Sequence, residues 1–322
     1  MDPKTVKHTA RTLLDRAACD PKKIALLFAG VSVAFSLVCS LLSWLLGLAM
    51  DHTGGLSGLA LRSMLESGQV MLSLASSLLL PFWQIGFVFA ALCYSKEAPV
   101  ENRTLLEGFR RWGAVLRLNI LLILVISGMM MVCSYLAMMV FFLSPFSDRL
   151  YENMQSLVDN APSPELTEEM VWQLLPNMGW CLALFVVVLL VVGLPFFYRY
   201  RLSEFALMDG APGALAAIRE SKRLSWNRRM GLFKLDLSFW WYHLLQMLTG
   251  VIASIGTVLP DLGVKLPISP SVAFWVFYIL GLGLQFLLTW RFAAHYQTSF
   301  ALYYKQIKEY TPPAPQPPVQ PE

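Results

Sequence analysis

Charge is what this sequence has least of. Only 14% of its 322 residues are charged and 56% are hydrophobic, against roughly a quarter charged in a soluble domain. With a mean hydropathy of +0.55, the chain excludes an ordinary water-soluble fold. Cysteine is sparse as well. Cys19, Cys39, Cys93, Cys133 and Cys181 contain no CxxC pair, which argues against a disulfide framework or a zinc site. The four histidines fall in separate segments, and HExxH, GxSxG, Walker A and GxGxxG motifs are all missing. Metalloprotease, serine hydrolase, nucleotide and dinucleotide chemistry therefore have no recognisable carrier, and neither cofactor nor metal is expected. The net charge of +4 is too modest to point to nucleic acid.

Long apolar runs are what the chain does have. Six of them read as membrane spans: Ile24–Met50, Val70–Tyr94, Leu118–Leu143, Met178–Tyr198, Leu235–Leu259 and Val272–Trp290. About 20 apolar residues cross the hydrocarbon core. The first run has no charge over 27 residues, too long for a signal-peptide core of about 7–15, so it is expected to be a retained span. The fold class is all-α, a polytopic helical bundle.

The cations divide unevenly. Twenty-two of the 25 Lys and Arg residues fall in alternate gaps, leaving only Arg62, Arg149 and Lys265 elsewhere. Basic residues stay cytoplasmic, so both termini and two loops are expected inside the cell. Asn102-Arg103-Thr104 fits a glycosylation sequon, but that placement voids it.

Three units emerge, each a basic stretch followed by two spans. Arg11-Thr12-Leu13-Leu14-Asp15 nearly recurs as Arg103-Thr104-Leu105-Leu106-Glu107, and Ala216 to Lys234 repeats the shape without the letters. Val6, Ala10, Leu13 and Ala17 lie on one helical stripe, and Leu105, Phe109 and Trp112 on another. Both patterns predict helices lying in the interface with cations among headgroups. Arg110, Arg111, Lys222, Arg223, Arg228 and Arg229 are the candidate headgroup contacts. On the outer side Ser163-Pro164-Glu165 opens a short helix striped by Met170, Val171, Leu174 and Leu175. Residues 1–23 read as an amphipathic cytoplasmic segment, 24–309 as the membrane domain and 310–322 as a Pro-rich disordered tail.

Polar groups inside spans are costly and mark function or helix association. Gln84 follows Pro81, whose ring frees backbone carbonyls. His243 and Gln246 share a face of the fifth span, and Gln285 sits in the sixth. These four are the candidate polar path, with interhelical hydrogen bonding as the plainer alternative. Asn119, Lys234 and Asp236 lie near inner ends, where snorkelling relieves the cost.

From Tyr198 the chain reads Tyr198-Arg199-Tyr200-Arg201-Leu202, then Ala206-Leu207-Met208-Asp209, then Ala217-Ile218-Arg219-Glu220-Ser221-Lys222. Leu232-Phe233-Lys234-Leu235-Asp236-Leu237-Ser238-Phe239 comes next, and Tyr296-Gln297-Thr298-Ser299-Phe300-Ala301-Leu302-Tyr303-Tyr304 closes the segment. This resembles the bacterial integral membrane family known as domain of unknown function 975. The glycine usual in that family's basic turn is replaced here around Ser225-Trp226-Asn227. The resemblance implies a polytopic helical protein with cytoplasmic amphipathic helices, and it carries over no activity and no catalytic residue. Before Tyr198 the agreement is in hydropathy alone.

The function expected from these features is non-enzymatic: organising or handling lipid, or assisting envelope and membrane-protein processes. The alternative is a transporter or permease-like component with its path near His243 and Gln246. Expected partners are membrane lipids, then a membrane-protein partner or a second copy of the chain.

Overall fold

A computed structural model describes residues 2–310 apart from 18, 52–55, 146, 149–150, 153–154, 156–178 and 262–267. The outward stripe from Met170 to Leu175 and the tail after Tyr310 lie outside the described residues.

Among the described residues the chain forms helices and turns but no strand, and six helices are long and apolar enough to span a membrane. In order these elements are α1 (Pro3–Arg16), α2 (Pro21–Asp51), α3 (Leu56–Ser95), a 3₁₀ turn (Asn102–Leu106), α4 (Glu107–Arg110) and α5 (Trp112–Phe142). A helical stretch over 179–188 leads through a π turn (Leu189–Gly193) into α6 (Leu194–Tyr200). Then come α7 (Ser203–Met208), α8 (Ala214–Ser225), α9 (Arg229–Leu237), α10 (Trp240–Asp261) and α11 (Pro270–Leu288). A second π turn (Thr289–Ala293) joins α11 to α12 (Ala294–Tyr310). Large apolar side chains stay exposed on these helices, including Leu124, Val191 and Met247. In lipid that exposure carries none of the cost it has in water.

The chain divides into two units, residues 1–119 with 202–322, and residues 120–201. The smaller unit holds most of α5 and the fourth span. Within it Gly193, at the end of its π turn, lies against Leu189 and the buried Cys133.

The larger unit fixes the relative direction of four spans. Lys305 Nζ donates to the Ser95 carbonyl at 3.3 Å, so the second and sixth spans end together. His295 Nε2 donates to the Lys7 carbonyl at 3.0 Å, and Lys7 Nζ donates to the Ser238 carbonyl at 3.0 Å. Those two bonds bring α1, just ahead of the first span, and the start of the fifth span to the same end. Arg111 Nη1, just before α5, donates to the Leu207 carbonyl at 3.2 Å. Lys7, Arg111 and Lys305, cations of three of the alternate gaps, thus lie at one end of this unit, its basic end.

Sequence expectations differ from the structure at three places. The fifth span is not one helix from Leu235 to Leu259. It breaks at Ser238-Phe239, between α9 and α10. Asn119 does not simply snorkel: its amide donates to the Ser77 carbonyl at 3.4 Å. That carbonyl is the one Pro81 leaves without its i+4 donor. Third, Val6 and Ala10 of the α1 stripe are buried within the protein, where α1 packs on α12 and α3. Leu105 is buried too, and Phe109 stacks on Phe82 at 5.2 Å. Both stripes are therefore filled at least in part by protein rather than lipid. The near-repeated letters also take different backbones, α-helix at 11–15 and a 3₁₀ turn from Asn102 to Leu106.

Close approach is set by glycine. Gly86 of α3 faces the Leu105 backbone, and Gly108 of α4 faces the Phe82 backbone, so each helix uses the other's missing side chain. Gly256 and Gly281 do the same between α10 and α11: a Cβ at Gly256 would lie 2.6 Å from Phe274 Cα, and one at Gly281 2.8 Å from the Thr249 carbonyl. Small residues at such crossings are the usual means of helix association in lipid.

Asn227 has φ of 61°, in the left-handed region that asparagine tolerates better than other side chains. It lies in the basic turn at Ser225-Trp226-Asn227. Asn227→Gly is expected to leave the unfolding midpoint in detergent unchanged or higher. Asn227→Val is expected to cost about 1–2 kcal/mol; equal midpoints for the two variants would show that the turn relaxes.

Candidate functional site

The break in the fifth span gathers a polar network. Ending α9 at Leu237 leaves the Ser238 carbonyl free of a helical partner, and Lys7 takes it while its ammonium sits 4.3 Å over the Phe239 ring. Burial lowers the Lys7 pKa from its ordinary 10.5. Close by, Asp236 Oδ1 accepts from His243 Nε2 at 2.9 Å and from Tyr296 OH at 2.8 Å. Phe239 packs edge-on against His295 and Tyr296, and Trp241 against Phe292. A carboxylate held by a hydrogen-bonded imidazole and a phenol can exchange a proton. The hydroxyl at the break, Ser238 Oγ, donates to the Leu235 carbonyl at 2.6 Å.

A second network centres on Asp209, whose side chain is 6% exposed. It pairs with Lys96 beyond α3 and Lys308 of α12, and Tyr304 OH donates to Oδ2 at 3.0 Å. Two helix ends present these charges. After α3, Ala98 N–H bonds to the Cys93 carbonyl at 2.9 Å and Glu97 N–H to Tyr94 at 3.2 Å, with Glu97 at φ 56°. This is a Schellman stop with Lys96 at the cap. After α7, Ala211 N–H bonds to Ala206 at 3.1 Å around Gly210 at φ 108°, which makes Asp209 the cap. A carboxylate at a helix C-terminus opposes the helix dipole, and the two ammonium groups offset that.

The third feature is a cleft of about 700 Å³ where α1, the start of α2 and the second π turn meet. Arg11, Lys22 and Arg291 line it together with Asp15 and Asp20. None of these three cations has a carboxylate within 4 Å among the described residues. Among the described residues no three His, Cys, Asp or Glu side chains form a metal set.

A family model described as "Protein of unknown function (DUF975)" matches residues 1–311. The chain belongs to the DUF975 family. No curated protein and no solved structure matches it. The match runs well upstream of Tyr198, so the family extends over the segments that agree only in hydropathy. The DUF975-like segments of the sequence meet one another in space. Asp209 and Asp236 receive their phenol donors from Tyr304 and Tyr296 of the closing segment.

The four polar-path candidates are not brought together into one network. Gln84 Nε2 donates to Glu204 at 3.4 Å. His243 belongs to the Asp236 network, and Gln246 Nε2 donates to Tyr242 OH at 2.9 Å. Gln285 is exposed on the surface of α11. The headgroup candidates also separate. Arg110 and Arg111 line a concavity of about 470 Å³ with Gly210 and Pro212. Arg223 is held by Glu220 through Nε at 3.0 Å and Nη2 at 2.7 Å, and that pairing raises its pKa. Arg229 lies 5.6 Å from the Trp226 ring, Arg228 caps α9, and Lys222 is half-buried on α8. The cleft cations Arg11, Lys22 and Arg291 are not among the candidate headgroup contacts read from the sequence. The available signal is Trp290-Arg291-Phe292, an aromatic–basic–aromatic run at the end of an apolar span.

Proposed function

We propose that this DUF975 protein is a multi-pass protein of the bacterial cell membrane that handles or organises lipid without enzymatic chemistry. Its basic end and both termini face the cytoplasm. The observation that carries this reading is the cleft at the basic end, where Arg11, Lys22 and Arg291 converge without carboxylate partners. Unpaired cations near a span end match the anionic cytoplasmic leaflet, where each contributes about 1 kcal/mol of attraction. A polar conduit finds no such support, because Gln84, His243 and Gln246 spend their hydrogen bonds on separate protein partners.

The test is reconstitution into mixed phosphatidylglycerol and phosphatidylcholine nanodiscs, followed by native mass spectrometry of the lipid kept on release. Preferential retention of phosphatidylglycerol, weakening with salt, is expected. Equal retention of the two lipids would overturn the reading. A reporter fused after Ser163 is expected outside, and a cytoplasmic signal there would reverse the orientation.

A further inference from the structure

The cleft is not isolated. A groove of about 410 Å³ runs between α10 and α11, with an almost wholly apolar lining that includes Leu245, Leu248 and Leu284. Trp290, Arg291 and Phe292 line both the groove and the cleft. These three residues are the centre of the second π turn (Thr289–Ala293). A π turn adds one residue to the helix, rotating the helix beyond it by roughly 100° relative to an unbroken α-helix.

We infer that cleft and groove are two halves of one site for a single anionic glycerophospholipid, its headgroup held by Arg11, Lys22 and Arg291 and one acyl chain laid between α10 and α11. The inference rests on the lipid-handling reading and adds to it a defined stoichiometric site. The occupant is set by the chemistry of the two halves. Unpaired guanidinium and ammonium groups match a phosphodiester, and Arg291 and Arg11 offer the fork geometry that suits its oxygens. The adjoining groove offers almost no hydrogen-bonding surface and suits only a hydrocarbon chain. A soluble anion would use the cleft and leave the groove idle. The cleft lining sets three cations against the carboxylates of Asp15 and Asp20, a net positive balance that favours an anionic headgroup over a zwitterionic one. The junction has the aromatic side chains, Trp290 and Phe292, that favour the depth where headgroup meets acyl chain. Close packing of Gly256 and Gly281 fixes the spacing of α10 and α11, so the groove is a shaped feature of the fold. Its size, and that of the cleft, fall in the usual range of ligand sites, about 300–1,000 Å³.

Native mass spectrometry of the full chain, delipidated and then titrated with short-chain phosphatidylglycerol, tests the site. One tightly retained molecule per chain is expected for the wild type. Arg291→Gln is expected to weaken retention about tenfold, the loss of one charge-assisted contact, and Arg291→Lys to recover part of it. Leu248→Trp, which fills the groove and leaves every cation in place, is expected to weaken retention to a similar degree. Glycerol phosphate, the headgroup without its chain, is expected not to compete. Should Arg291→Gln fail to fold, Arg11→Gln and Lys22→Gln replace it, since both side chains are exposed. Wild-type retention in both the Arg291 and Leu248 variants overturns the site, as does competition by glycerol phosphate or indifference to Leu248→Trp alone. If those results accompany a persisting preference for phosphatidylglycerol over phosphatidylcholine, lipid handling stands and only the site falls. If the wild type shows no preference, the functional reading falls with it.

Discussion

Gly86→Leu is expected to leave little or no monodisperse protein after detergent extraction, and Gly86→Ala to lower the unfolding midpoint sharply. The reason is backbone meeting backbone. A Cβ at Gly86 runs into the Leu105 carbonyl, and one at Gly108 runs into that of Phe82. Overpacking against flexible side chains costs about 1–3 kcal/mol. Here the obstacle is main chain on both sides, so alanine is expected to reach or exceed the upper end of that range. Set against a total stability of about 5–15 kcal/mol, leucine removes most of what holds α3 to the 3₁₀ turn and α4. Gly113→Ala, a position with nothing within 4 Å of the added carbon, is the control and should behave as wild type. Fluorescence-detected size exclusion and a thermal ramp read both. A wild-type midpoint for Gly86→Ala would show that the crossing opens freely, and the packing account of this corner would fail.

Asp209→Ala is expected to cost about 1–3 kcal/mol, because it leaves two ammonium groups and a buried phenol without their acceptor. The figure stays below that for a fully buried ion pair, since Lys96 and Lys308 remain nearly half exposed and solvated. Burial alone would raise the Asp209 pKa, but hydrogen bonds from Lys308 and Lys96, and their charges, outweigh it and hold it below the ordinary 3.8. The folded carboxyl therefore binds its proton less readily than the unfolded one. Its contribution is fully present above the unfolded pKa and is lost as pH falls through the lower folded value. Asp209→Asn should remove that acid limb while keeping the shape. A midpoint-versus-pH curve with the same acid limb in wild type and Asp209→Asn would assign the loss to other carboxyls.

The spans are legible in the sequence because hydropathy is a sum over about 20 residues, and no tertiary contact overturns so long a sum. Pro81 announces a freed carbonyl, but its answer comes from Asn119, 42 residues from Ser77 in sequence, which no local pattern can specify. The break at Ser238-Phe239 is hidden for a related reason. Leu235–Leu259 is largely apolar along its length, and the break is held from outside, by Lys7 and the aromatic side chains around Tyr296. The stripes of α1 and the 3₁₀ turn are apolar faces, as their spacing implies. A stripe does not say whether protein or lipid will cover it. The cleft is least legible of all. Arg11, Lys22 and Arg291 belong to separate segments, and only the fold brings them together.

The sixth helix, 40 residues counted through its π turn, is about 60 Å long, twice the hydrocarbon thickness. Its protruding part supplies Tyr304, Lys305 and Lys308, the last partners needed by Ser95 and Asp209. A ribosome delivers those side chains after every other described element has emerged. Lys305 meets Ser95 across 210 residues of sequence. Lys96 and Asp209 are therefore made before their partners Tyr304 and Lys308, and the network around Asp209 is complete only when α12 is present.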